Sequence, residues 1–269
     1  MPQFGSWKPI HDTHAIQLAA ITVTLNEPVG DLTFRKALNN VNPIAVELGL
    51  TEHAPINPQL PPQIQQFLNV SSPMQGMSYV RQSDGRIGER AFINRESLRF
   101  EDFEYIRWSP FKARAQKLLG DAVSEFTGGS SVNNISSEYT DVFIGLVGDQ
   151  SDVSEVVNAN SPLIAAGAFH SKASWHCHMG WFEPIDEHCR RLVNVNIDVA
   201  DNLLEEKINR QVRIKTQTFD QFGQDGYAEY SNNVSWERLS YHLDSSHDRL
   251  KSLLRDILSP EAALAISLP

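Results

Sequence analysis

Three runs between residues 173 and 218 alternate apolar and polar side chains, and that alternation leaves little choice of fold. Ala173, Trp175, Cys177, Met179 and Trp181 share one parity, and Ser174, His176, His178 and Gly180 share the other. The next run sets Val193, Val195, Ile197 and Val199 against Asn194, Asn196 and Asp198. The third sets Val212 and Ile214 against Arg213, Lys215 and Gln217. A side-chain period of two belongs to a strand with one covered and one open face. Three such strands in series predict an antiparallel sheet whose apolar face lies under helices. The opposite face becomes a polar platform carrying His176, His178, Asn194, Asn196, Asp198, Arg213 and Lys215.

The remainder of the chain fits an α+β protein of two similar halves, residues 1–130 and 131–269. Each reads strand, helix, antiparallel strands, long helix. In the first half, His14 to Leu25 predicts a strand with a bulge near Ala19 or Ala20. Asp31 is placed to cap a helix carrying Leu32, Leu38 and Val41, with Pro43 as a kink or new start and Gly49 as its end. Five prolines between residues 51 and 76 predict a long irregular connection, with one helical turn at 63–68. From Met77 to Trp108 short strands follow, turned at Asp84-Gly85. Ser109 and Pro110 then start a helix with the stripe Phe111, Ala115, Leu118, Ala122 and Phe126. In the second half a strand covers Val132 to Ile144, and a helical stretch follows a Ser151 cap. The three alternating strands come next, then a long helix after Ser235 with Leu239, Leu243, Leu250, Leu254 and Ile257 on one stripe. This order matches two plans, that of TATA-binding proteins and the helix-grip plan of lipid-binding pockets. It allows one continuous sheet, or a homodimer that completes one.

A chain of 269 residues with 41% apolar content supports a full hydrophobic core. No apolar run approaches the roughly 20 residues of a membrane-spanning helix, and the first residues lack the plan of a secretory signal, so the cytoplasm is the expected compartment. Cys177 and Cys189, the only cysteines, are expected to stay as thiols there. A net charge of −10, with no cluster of Lys and Arg, disfavours nucleic acid as a partner.

Catalytic motifs are missing: there is no GxSxG elbow, Walker loop, GxGxxG, HExxH or EF-hand loop. His176 and His178, two apart on a strand, lie roughly 6.5–7 Å apart on one face, a spacing compatible with a shared metal. Without a clear third ligand they imply no metal site, and no cofactor is implied elsewhere. Asp141 reads as a turn or helix-flanking residue, and His247 as a satisfied, partly buried histidine. The platform is either an ordinary solvated sheet face or a surface for a ligand or partner.

Several segments resemble those of a sporadically distributed bacterial family of uncharacterised proteins. They are Trp7 with His14-Ala15-Ile16, Tyr105 to Phe111, Ile135 to Phe143, and Trp175 to Phe182. The resemblance spans nearly the whole chain and implies kinship without a catalytic assignment. A patchy distribution implies an accessory role, antiviral defence included. The leading expectation is a non-enzymatic binding or sensor component acting through a protein partner. The alternatives are a small-ligand protein or enzyme with a site between sheet and helices near His176 and His178, and a nucleic-acid binder using the open sheet face with Arg213 and Lys215 at phosphates.

Overall fold

The computed structural model describes residues 3–56, 74–146, 150–170, 174–204, 207–222 and 234–268. Its ten strands are β1 (Trp7–Pro9), β2 (Ile16–Leu25), β3 (Glu52–Ile56), β4 (Gly76–Ser83), β5 (Arg86–Asn94), β6 (Ser97–Asp102), β7 (Val132–Gly145), β8 (Trp175–Pro184), β9 (Cys189–Leu204) and β10 (Lys207–Phe222). Four α-helices accompany them among the described residues: α1 (Asp31–Glu47), α2 (Trp108–Thr127), α3 (Trp236–Ile257) and α4 (Pro260–Ala265). No described helix is long and apolar enough to cross a membrane.

All ten strands form one antiparallel sheet in the order β3-β4-β5-β6-β2-β7-β10-β9-β8, with β1 also paired to β7. The protein is therefore α+β with a single continuous sheet. The order is mirrored about the central β2/β7 pair: β6, β5 and β4 step outward on one side, and β10, β9 and β8 on the other.

The alternation found in the sequence sets the register of the second half. Val193, Val195, Ile197, Val199, Val212 and Ile214 are all buried on the helix side. A slip of one residue would expose that whole row, and each such side chain contributes about 1.5–3 kcal/mol by burial. Trp175 and Trp181 pack against this core, while His176 and His178 point the other way and are exposed. Ala173 and the helical turn expected at 63–68 lie outside the described residues.

Helices α2 and α3 close the same face and touch each other; α1 packs on α2. The expected stripes are buried in full, Phe111 to Phe126 on α2 and Leu239 to Ile257 on α3. Ser235 caps α3, its hydroxyl accepting from the Arg238 N–H. Asp84 and Gly85 take φ of 50° and 73°, the left-handed pair that a two-residue hairpin requires. Gly49, at φ 81°, ends α1.

Some local expectations are corrected. Residues 52–56 form a strand, because β4 offers them a free edge to pair with. The irregularity in β2 falls at Gln17, between Ile16 and Leu18, so that Ala19, Ile21 and Val23 share the buried face. Gly30, not Asp31, stands at the N-cap of α1, and Leu32 is 84% exposed while Phe34, Ala37, Leu38, Val41 and Ala45 face inward. Pro43 sits inside one uninterrupted helix. Arg107 takes the N-cap of α2 with no side-chain cap, so Ser109 lies within the first turn. In place of a helix after Ser151 there are 3-10 turns, the first (Val153–Glu155) capped by Asp152.

Candidate functional site

The middle of β7 is unusual for a strand buried on both faces. Its helix-side row is Ile135, Ser137, Tyr139, Asp141 and Phe143, so three polar groups stand between two apolar ones under α3. Asp141 is not the turn residue its sequence context suggests. It lies mid-strand, with Ile16 of β2 and Ile214 of β10 as its register partners, and its exposure is 0%. Neither carboxylate oxygen accepts a hydrogen bond. Burial without compensation raises its pKa to about 7, because the charged form loses water and gains no donor.

Around it the chain converges from four places. His14 arrives from the segment before β2, and Tyr105 from the link between β6 and α2. Trp108 opens α2, and His247, Leu250 and Leu254 line the near side of α3. Together with the tail at Ile266 they enclose a pocket of about 720 Å³ between sheet and helices, with Asp141 in its wall. That size lies within the range of small-molecule sites.

The aromatic groups are held firmly. Tyr139 Oη lies 2.9 Å from His247 Nδ1, and the side chain of Tyr105 is hydrogen-bonded to that of Tyr139. Trp108 stacks flat on His247, 4.6 Å between ring centroids and 5° from parallel. Its indole Nε1 donates to Asp244 Oδ1 at 2.7 Å, and Lys112 Nζ donates to both oxygens of the same carboxylate at 2.7 and 2.8 Å, tying α2 to α3. The Ile16 N–H donates to Nδ1 of His14 at 3.2 Å.

Burial also sets the charge of these groups. It pushes the His247 imidazole down to about 4, helped by the nearby Lys251 ammonium. It lowers His14, with His11 adding to the effect. Tyr105 is raised to about 12 by desolvation, and Tyr139 goes well above its ordinary value for the same reason. At neutral pH the interior therefore holds neutral imidazoles and phenols around one carboxyl poised between acid and anion. Among the described residues that line the pocket, the cations are Lys251, half-buried on α3, and the exposed Arg107, and neither makes an ion pair among the described residues.

A second polar cluster lies deeper along the sheet. Cys189, Asp220 and His242 are buried with their donor atoms within 4.8 Å of one another, a set that could hold a metal by residue type alone. Asp220 is already engaged, however. Arg191 donates to both its oxygens, from Nε at 2.6 Å and Nη2 at 2.8 Å, and His242 Nδ1 lies 2.9 Å away. Burial, with the Asp220 carboxylate adding to it, pushes the Cys189 thiol up to about 12. The cluster is a buried ion pair joining β9, β10 and α3. Cys177 is also a free, buried thiol.

The residues singled out by alternation do share one face, the one opposite the pocket. His176 Nδ1 lies 2.6 Å from Asp198 Oδ1, with the two side chains 58% and 41% exposed, and Asn196 Nδ2 donates to Asp198 Oδ2 at 3.3 Å. The His176 and His178 rings are 6.4 Å apart. Asn194 sits opposite Gln217 and Gly180, and Arg213 opposite Asp198. Lys215 joins a row of paired charges crossing the sheet: Lys215 to Glu138 at 3.0 Å, Glu138 to Arg99 at 3.5 Å, Arg99 to Glu101 at 2.7 Å and Glu101 to Arg90 at 2.7 Å. The platform thus neutralises much of its own charge.

Residues His14, Tyr105, Trp108, Tyr139, Asp141 and His247 form the site that alternation alone does not reveal. A signal was present: Ile135 and Phe143 fix the inward parity of β7, and an Asp at that same parity is a carboxyl aimed at the core. No protein-family model and no curated protein matches the chain.

Proposed function

We propose that the protein is a non-enzymatic small-molecule binding or sensor component whose ligand occupies the pocket between the sheet and α2/α3. The observation that carries this reading is Asp141: a fully buried carboxyl with no hydrogen-bond donor, in the wall of an aromatic-lined pocket of about 720 Å³. Native proteins leave very few buried polar groups unsatisfied, and a ligand donor is the missing partner that this one fits. The Nδ1 atoms of His14 and His247 are engaged by the Ile16 N–H and by Tyr139, which fixes how the two rings stand at the pocket. A ligand site between sheet and helices also suits the helix-grip plan. The mirrored strand order about β2 and β7 supports reading the two halves as an internal duplication. Contact with a protein partner would then report occupancy of the pocket.

The test is a thermal-shift screen of small-molecule extracts against the native chain and against Ile266→Trp, which fills a half-buried position of the pocket. Leu268→Trp, at another half-buried lining position, serves as a second block. An extract fraction that stabilises the native chain and neither variant is the expected result. Stabilisation that survives both blocks, or no active fraction at all, removes the proposal.

A further inference from the structure

Resting on that reading, we infer that the ligand is a small organic zwitterion, its cationic head paired with Asp141 and its anionic group met by Arg107 and Lys251. Three separate observations converge on this class. First, the Asp141 carboxyl offers two oxygens with no partner, in a space where no protein cation reaches it. A neutral ligand donor would leave the carboxylate's charge uncompensated in a low dielectric, whereas an ammonium or guanidinium both donates and neutralises. Second, Tyr105 and Tyr139 are aromatic neighbours in the same pocket lining, and the two imidazoles there are held neutral and so do not repel a cation. Third, Arg107 and Lys251 line the same pocket without an ion pair among the described residues. A simple amine would leave these two cations with nothing to recognise, and a simple acid would leave Asp141 unmet. One molecule with both charges satisfies all three groups.

The experiment uses matched sets: the ω-amino acids from γ-aminobutyrate to ε-aminocaproate, with arginine, against the alkylamines, agmatine and fatty acids that keep only one of the two charges. Binding is read by calorimetry on the full chain at about pH 8, where Asp141 is mostly ionised. At least one zwitterion is expected to bind about tenfold or more tighter than either single-charge counterpart, as desolvated charge pairs allow. Asp141→Asn should weaken zwitterion and amine alike, while the double variant Arg107→Gln/Lys251→Gln should reduce the zwitterion to the level of the amine and leave the amine unchanged. The inference fails if no zwitterion binds, if amine or acid alone binds as well, or if Asp141→Asn retains native affinity. An active extract fraction, blocked by Ile266→Trp, alongside a silent zwitterion panel would discard the ligand class and keep the pocket; silence in both would discard both.

Discussion

The hydroxyl of Tyr139 lies 2.9 Å from Nδ1 of His247, so the central strand and the last long helix share a hydrogen bond at the pocket. Removing the Tyr139 hydroxyl leaves the His247 nitrogen half-buried and unmet, which costs more than the bond itself contributes. Tyr139→Phe should therefore lower stability by about 1–2 kcal/mol, while the double change Tyr139→Phe/His247→Leu should cost clearly less than the sum of its parts. Urea unfolding of the two single variants and the double variant reads the coupling. Additive costs would show that the pair does not act as a unit.

Asp141 makes the fold less stable as pH rises from acid to neutral. Its carboxyl titrates near 7 when folded and near the ordinary 3.8 when unfolded, so between these values the folded state holds a proton that the unfolded state has released. Stability must fall as pH rises through that window, and above it the loss amounts to about 4 kcal/mol. Asp141→Asn removes the titration. Measured relative to the native chain, the variant should gain about 4 kcal/mol in unfolding free energy between about pH 4 and pH 8. A pH-independent difference between the two proteins would contradict the burial of an unpaired carboxyl.

His247 works in the opposite sense. With its imidazole pushed down to about 4 in the fold, against an ordinary 6.5, the unfolded chain takes up a proton on acidification that the folded chain refuses. Stability is lost as pH falls from 6.5 towards 4, by about 2 kcal/mol once solvent near the ring is allowed for. Replacing His247 by Asn should flatten this acid limb. Nuclear magnetic resonance titration of the imidazole, with a midpoint near 6.5, would contradict the desolvated site.

The sheet was legible wherever one face meets water, because there the period of two survives. Residues 193–199 and 212–217 fall on the faces their parity assigns. The site escaped the same reading because β7 is buried on both sides, from Ile135 to Phe143 without a break, and carries polar residues in both parities, so that only Ile135 and Phe143 mark the inward one. Asp141 then looks like a turn residue. The helix stripes on α2 and α3 were readable from spacing, whereas the first turn of α1 was not, since Leu32 and Phe34 are both apolar and only packing against α2 decides which turns inward. His176 and His178 drew attention by residue type, yet type alone cannot say that the open face pairs its own charges.

Arg191 and Asp220 are 3% and 0% exposed, and His242 completes the group on α3. Taking two charges from water is costly, and their bidentate contact roughly offsets that cost, so the pair adds little net stability while each charge depends on the other. Asp220→Ala strands the guanidinium and should cost about 3–5 kcal/mol, whereas Asp220→Leu combined with Arg191→Met should recover most of it. The same geometry separates an ion pair from a metal site. Because Arg191 occupies both oxygens of Asp220, added zinc should leave the unfolding free energy of the native chain unchanged within about 0.5 kcal/mol. A zinc-dependent rise in stability that disappears in Cys189→Ser would mean that Arg191 yields its place to the ion, and the assignment of the cluster as a buried ion pair would fall.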